Sequence, residues 1–254
     1  MEAQAEIRHR LDLALRLVDS VSGRAIEERD VRFYSRPFEA MPLRKGGGIF
    51  LFLNTGREAH EIEVNVYGYE PRKFMLDYPE PEERLPIREV YLLPLDNPAR
   101  DDVLTLRGRL PGIKAIEAVS LKEAECYIKA FDARKRSMVV LNQRSSRFHH
   151  IHYGLISREG TAYEHFEVEE ELSLYEIKCR KALEREFQAN QPVARVIFGQ
   201  VTGQGEYVLK VPNGANALYL VRFEAEGKEY YQKVDFHAEG NLLECREPAE
   251  EKEG

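Results

Sequence analysis

The chain has 254 residues, 43% of them hydrophobic and 32% charged, with a formal net charge of −7. That length supports one large core or two small ones, and two is the prior for strand-rich sequence. Nothing is basic enough for nucleic acid, which needs clustered Lys and Arg, and no apolar run approaches the roughly 18 residues of a membrane-spanning helix.

Residues 1–10 are a polar lead-in with no apolar h-region and no small-residue cleavage site, so no secretory signal is expected. Cys126, Cys179 and Cys245 are far apart and odd in number, a poor basis for a disulfide framework. Cytoplasmic synthesis is the expectation, with retention there or release by cell lysis.

The first strong pattern sets Leu11, Leu13, Leu15 and Leu17 against Asp12, Ala14 and Arg16, which places four leucines on one face of a strand. Asp19-Ser-Val-Ser-Gly23 supplies side-chain acceptors and a glycine for a turn. A second strand reads Val31-Arg-Phe-Tyr34. Between Ser35 and Gly48, Pro37, Pro42 and Gly46-Gly-Gly48 indicate a loop or an irregular hairpin. Ile49–Leu53 is unbroken apolar sequence, as expected of a strand covered on both faces. Ile62, Val64 and Val66 alternate with Glu61, Glu63 and Asn65, so that strand has one wet face, and Gly68-Tyr-Glu-Pro71 breaks it. Tyr78–Pro86 reads as an extended acidic connection. A last strand runs Ile87–Leu93, and Asp96–Asp102 combines turn residues, charge and a proline into a domain boundary.

Strands continue at Glu123–Asp132 and Ser137–Asn142 around a tip at Ala133–Arg136. Phe148–Ser157 and Thr161–Val168 form a hairpin around Arg158-Glu-Gly160, and Leu172–Lys178 reads as one more strand. Cys179–Gln188 holds helix-forming residues with Leu183 and Phe187 spaced i, i+4, so one short helix is expected there, stopped at Pro192. Strands return at Val193–Val201, Glu206–Val211, Ala217–Ala225 and Lys228–Phe236. Pro212-Asn-Gly214 turns the middle two, and Glu226-Gly227 makes a tight hairpin of the last two. The charge-rich tail 247–254 is expected to be disordered. The fold class is therefore mainly β: a sandwich over 11–95, then a β-rich domain over 103–246 with one short helix.

Val18, Asp19, Ser22, Gly23 and Ile26, then Val31 and Phe33, Gly48, Phe50 and Phe52, and Val64, Val66, Gly68, Tyr69 and Pro71 occur in a telling order. This succession resembles the carboxypeptidase regulatory-like domain, a transthyretin-like (prealbumin-like) seven-stranded sandwich. Ala25 departs from the proline usual in that family, and the Arg36–Gly47 loop is longer. The resemblance implies fold more than function, since one scaffold hosts unrelated activities. Similar sandwiches occur in secreted enzymes, in surface proteins and in phage-tail-like particles. Residues 103–246 resemble no family we recognise.

His150 and His152 share a strand face, and the hairpin brings His165 alongside, so three imidazoles are the candidates for a divalent metal. The ordinary reading is a polar hairpin face, since neither an HExxH pattern nor a Cys-x-x-Cys pair accompanies them. Glu164 and Glu167 are candidate bases in a chain where carboxylates are common. Gly46-Gly-Gly48 lacks the ending of a phosphate loop, and strands follow Gly199–Gly205 where a dinucleotide site needs a helix. Cys126 alternates with Ala124, Ile128 and Ala130 and reads as core. The acidic run Glu164–Glu171 lacks the spacing of a calcium hand and reads as a solvated, charge-guarded strand edge.

No catalytic residue and no cofactor is expected. The leading expectation is a structural subunit of a cytosolically assembled particle, such as a phage tail, baseplate or contractile injection apparatus. Its partners are other protein subunits, copies of itself included, with no nucleic acid and no membrane insertion. Arg36, Phe38, Arg44, Tyr69, Tyr78 and Tyr230 are the candidate interaction residues, on strand edges and loop tips. The alternatives are a carbohydrate or cell-surface binding module that stacks sugars on Tyr67, Tyr69, Tyr230 or Tyr231, and a metal-dependent hydrolase built on the histidines.

Overall fold

The computed structural model of the chain describes residues 10–27, 30–36, 42–54, 60–76, 87–96, 102–142, 148, 150–184, 188–214, 217–236 and 242–244. These residues form strands and connections without a helix, and the chain divides into two compact units, residues 1–97 and 98–254.

The first unit contains β1 (Leu11–Asp19), β2 (Val31–Arg36), β3 (Leu43–Lys45), β4 (Ile49–Leu53), β5 (His60–Val66), β6 (Arg72–Leu76) and β7 (Ile87–Leu92). One sheet has the order β3-β4-β1-β7 and the other β2-β5-β6. Leu13, Leu15 and Leu17 of β1, Phe50 and Phe52 of β4, and Ile62, Val64 and Val66 of β5 meet in one core, which makes the unit a β-sandwich. A register shift between Leu11 and Leu13 takes Leu11 out of the leucine row, so it is only half-buried. In the turn after β1, Asp19 Oδ1 accepts from the backbone N–H of Val21 (3.0 Å) and Ser22 (2.7 Å), while its Oδ2 accepts from Tyr69 Oη (3.0 Å). One carboxylate thus ties a turn of one sheet to the Gly68 turn that follows β5 in the other.

The second unit is larger. It runs β8 (Val103–Arg109), β9 (Ile113–Ser120), β10 (Cys126–Asp132), β11 (Ser137–Asn142), β12 (His152–Ile156), β13 (Tyr163–Ser173) and β14 (Glu176–Cys179). Then come β15 (Pro192–Arg195), β16 (Ile197–Phe198), β17 (Gln200–Val201), β18 (Glu206–Pro212), β19 (Leu218–Ala225), β20 (Lys228–Asp235) and β21 (Leu242–Glu244). Strands β10-β11-β14-β13-β12-β15 close into a barrel around Ile128, Met138, Val140, Tyr153, Phe166 and Ile177. A sheet β16-β9-β19-β20 faces a sheet β17-β18-β8-β21 across a core of Leu104, Leu106, Ile116, Leu209, Val221 and Phe223.

The β16-β9-β19-β20 sheet is covered on both faces. Ala118 and Val221 point into the core just named, whereas their neighbours Val119 and Leu220 pack with Ile156, Tyr163 and Ala194 on the barrel wall. Period-two alternation in β9 and β19 therefore feeds two different cores.

Several expectations need correction. The helix expected at Cys179–Gln188 does not form over its described part: β14 ends at Cys179, residues 180–184 are irregular, and 185–187 lie outside the described residues. The backbone N–H groups of Cys179 and Arg180 donate to the carbonyls of Arg136 (2.7 Å) and Glu167 (2.8 Å), which holds the start of the segment in the barrel ladder. Leu172–Lys178 is not one strand, because Leu174 and Tyr175 turn between β13 and β14. β13 is no edge either, being paired with β12 on one side and β14 on the other. β4 is more deeply buried on one face than the other: Phe50 and Phe52 are buried, while Ile49, Leu51 and Leu53 are half-buried. Pro212–Gly214 does not close a hairpin, since β18 pairs with β17 and β8 while β19 belongs to the other sheet. The lead-in 1–9, the Tyr78–Pro86 connection and the tail 247–254 lie outside the described residues.

Candidate functional site

Where the barrel meets the β16-β9-β19-β20 sheet, strand register builds a polar row inside an apolar junction. Phe198 of β16 and Arg222 of β19 both stand opposite Glu117 of β9, and Tyr231 of β20 stands opposite Arg222. Because directly opposed residues share a sheet face, these four side chains reach one side of the sheet together. The barrel answers with Tyr163 and His165, two apart on β13, and with His152 of β12.

Glu117 is 3% exposed. An unpaired carboxylate that deep is prohibitively costly, so its partners decide whether the fold tolerates it. Arg222 Nε lies 2.8 Å from Oε1, Tyr163 Oη donates to Oε1 at 2.9 Å, and His165 Nδ1 lies 3.4 Å from Oε2. Arg222 also pairs with Glu229, and Tyr231 Oη lies 2.9 Å from both Glu229 Oε2 and the Tyr163 carbonyl. Burial pushes the Glu117 carboxyl up, but the His165 hydrogen bond, with the charges of His165 and Arg222, outweighs it and holds the group below the usual carboxylate range. Burial, with the Glu117 charge beside it, pushes the Tyr163 phenol well up, so it stays a donor.

His165 Nε2 lies 2.9 Å from His152 Nδ1, and the Phe198 ring covers both imidazoles at centroid distances of 5.8 Å and 5.1 Å. His165 therefore stands between the other two, its Nδ1 toward Glu117 and its Nε2 toward His152 Nδ1, giving a chain Glu117–His165–His152 in which the donor of the second contact follows the protonation of the two rings. Burial, reinforced by His165, pushes the His152 imidazole down to about 4, so it is neutral at ordinary pH. Beside this chain is a cavity of about 200 Å³ lined by Glu164, His165, Glu167, Arg180, Leu183 and Arg222 among others. Lys181 also lines it, and several of its charges are engaged within the chain: Arg180 holds Glu167 at 2.6 Å, and Glu164 accepts from the backbone N–H of Glu184 at 2.6 Å.

Of the three histidine candidates, His152 and His165 meet while His150 lies before β12 against Tyr153, its backbone N–H donating to that phenol at 3.3 Å. Among the described residues no three His, Cys, Asp or Glu side chains are arranged around a common metal position. Burial pushes the Cys126 and Cys179 thiols up to about 12, with Glu125 and Glu164 respectively adding to it, so neither is a thiolate at neutral pH.

Among the interaction candidates, Arg44 is exposed and donates to the Glu27 carbonyl at 2.6 Å. Tyr69 and Tyr230 are half-buried, packed against the first-unit core and the two-sheet core of the second unit. Tyr67 is 88% exposed. Arg36 lies in β2 with its side chain outside the described residues, as are Phe38 and Tyr78.

Sequence reasoning missed Glu117, Arg222 and Tyr163. Each sits in an ordinary strand with no local motif, and only the pairing of distant strands brings them together. No known protein family, characterised protein or solved structure matches the chain.

Proposed function

We propose that the protein is a non-catalytic structural subunit of a cytosolically assembled particle of the phage-tail, baseplate or contractile injection kind, working through its β surfaces. The observation that carries this is how the buried polar constellation around Glu117 spends its groups. Glu117 uses its oxygens on Tyr163, His165 and Arg222, His165 spends both ring nitrogens, and Glu164, Glu167, Arg180 and Arg222 on the wall of the neighbouring cavity are engaged within the chain. Such a cluster acts as a joint between barrel and sheet, whereas a reaction centre needs a group aimed at open space. The likeness of residues 11–95 to sandwiches found in such particles adds to the reading.

The test is co-expression with the products of adjacent genes, followed by purification through a tag on this chain and mass measurement. A stoichiometric complex with a tail, tube or baseplate component is expected. A chain that stays alone beside all its genetic neighbours would end the proposal.

A further inference from the structure

We propose that copies of this chain associate head to tail, the β13–β14 hairpin of one docking into the glycine-edged groove beside β3 of the next. This deepens the structural-subunit reading and rests on it.

Among the described residues of 98–254, the large apolar side chains left exposed are Leu141 (45%), Leu172 (47%), Leu174 (50%) and Tyr175 (58%). They gather in one place. Leu172 stands near the end of β13, Leu174 and Tyr175 form the turn into β14, and the Val140 N–H next to Leu141 donates to the Tyr175 carbonyl at 2.9 Å. Apolar residues grouped on a hairpin tip keep water ordered against them, and a partner surface relieves that cost.

Charge narrows the partner. Upstream, Glu167 is matched by Arg180, and Glu169 by Lys178 and Arg136. Glu170, Glu171 and Glu176, which flank the tip, make no ion pair with the described residues. The tip is therefore an apolar wedge flanked by carboxylates that no described residue holds in an ion pair. A second hairpin of the same kind, or an anionic lipid surface, sets like charge against it.

The first unit carries the complement. β3 is the outer strand of its sheet, its three residues are exposed, and Leu43 is 54% exposed. Beside it is a groove of about 340 Å³ lined by Glu27, Arg44, Lys45, Gly46, Gly47 and Gly48. Three glycines leave that wall without side chains, β3 has no further strand beyond it among the described residues, and the groove carries two cations, Arg44 and Lys45, against the single carboxylate of Glu27. Wedge and groove are different surfaces, so the contact is heterologous: each addition leaves one of each free, and mass grows with concentration unless a ring closes.

Sedimentation velocity on the full chain tests this, from about 5 µM to about 300 µM, at about 0.05 M and about 0.5 M salt. Mass is expected to climb above the 29.4 kDa of one chain at low salt and fall back at high salt. Two charge-reversed chains, Glu171→Lys with Glu176→Lys and Arg44→Glu with Lys45→Glu, should each stay single alone and associate again when mixed, because each mixed contact is complementary. Arg44 and Lys45 are exposed and Glu171 and Glu176 half-buried, and circular dichroism confirms that each variant folds. A wild-type chain that stays at one-chain mass throughout overturns the inference, as does a mixture that fails to associate. If the chain is single but joins a neighbouring subunit through Leu174 and Tyr175, lost in Leu174→Ser with Tyr175→Ser, self-pairing is overturned and the structural-subunit reading stands. If it neither self-associates nor joins any neighbour, both fall.

Discussion

At the scale of residues, the Glu117–His165–His152 chain ties the fold to acidity. His152 moves from its ordinary 6.5 to about 4 on folding. A depressed imidazole means that, as pH falls, the unfolded chain takes up the proton first, so the folded state loses ground between about 6.5 and about 4, by up to about 3 kcal/mol. Glu117, held below 4.5, contributes stability above that value and loses it as pH falls through its lower folded value. The two groups therefore weaken the folded state in adjoining acid windows. His152→Asn keeps a polar group near His165 and removes the titration. Its urea-unfolding free energy should fall between about pH 7.5 and about pH 5 by about 2 kcal/mol less than that of the wild type. Equal losses in the two proteins would show that the imidazole pair is not what acid attacks.

At the scale of elements, alternation reported the strands and missed their neighbours. Ile62, Val64 and Val66 are buried as their spacing requires, and the hairpin read around Arg158–Gly160 brings His152 to His165. The spacing of Leu183 and Phe187 pointed to a helix because propensity weighs only local terms, whereas the barrel ladder had already claimed the backbone of Cys179 and Arg180. Glu117 was illegible for the same reason: its partners arrive from β13 and β19, which sequence spacing does not relate to β9. Gly46-Gly-Gly48 was legible as a hairpin turn, but not which glycine it depends on. Gly48 has φ +69°, and a Cβ there would lie 3.0 Å from the Ile26 carbonyl and 3.1 Å from that of Leu17, both backbone atoms that cannot swing away. Gly46 has open space around its Cβ position. Gly48→Ala should cost about 1–2 kcal/mol and Gly46→Ala less than about 0.5 kcal/mol, read from denaturant midpoints. Equal costs would mean that this turn relaxes freely.

At the scale of the whole molecule, the two units keep separate cores, and their stabilities should come apart. Leu13, Leu15, Leu17, Phe50 and Val64 belong to one buried cluster whose described members all come from the first unit. The three clusters of the second unit are linked through the β16-β9-β19-β20 sheet, whose two faces serve the two-sheet core and the barrel wall. Damage to either of those faces should be felt across the second unit, and damage to the leucine row of β1 within the first. Leu15 is fully buried, and Leu15→Ala removes its contacts and leaves a cavity, a loss of about 2–5 kcal/mol in a well-packed core. Val221→Ala makes the equivalent change in the middle sheet. In scanning calorimetry, Leu15→Ala should lower one transition and leave a second unmoved, while Val221→Ala should lower the other as a single unbroken peak. A Leu15→Ala chain that melts in one transition, shifted as a whole, would show that the units unfold as one body.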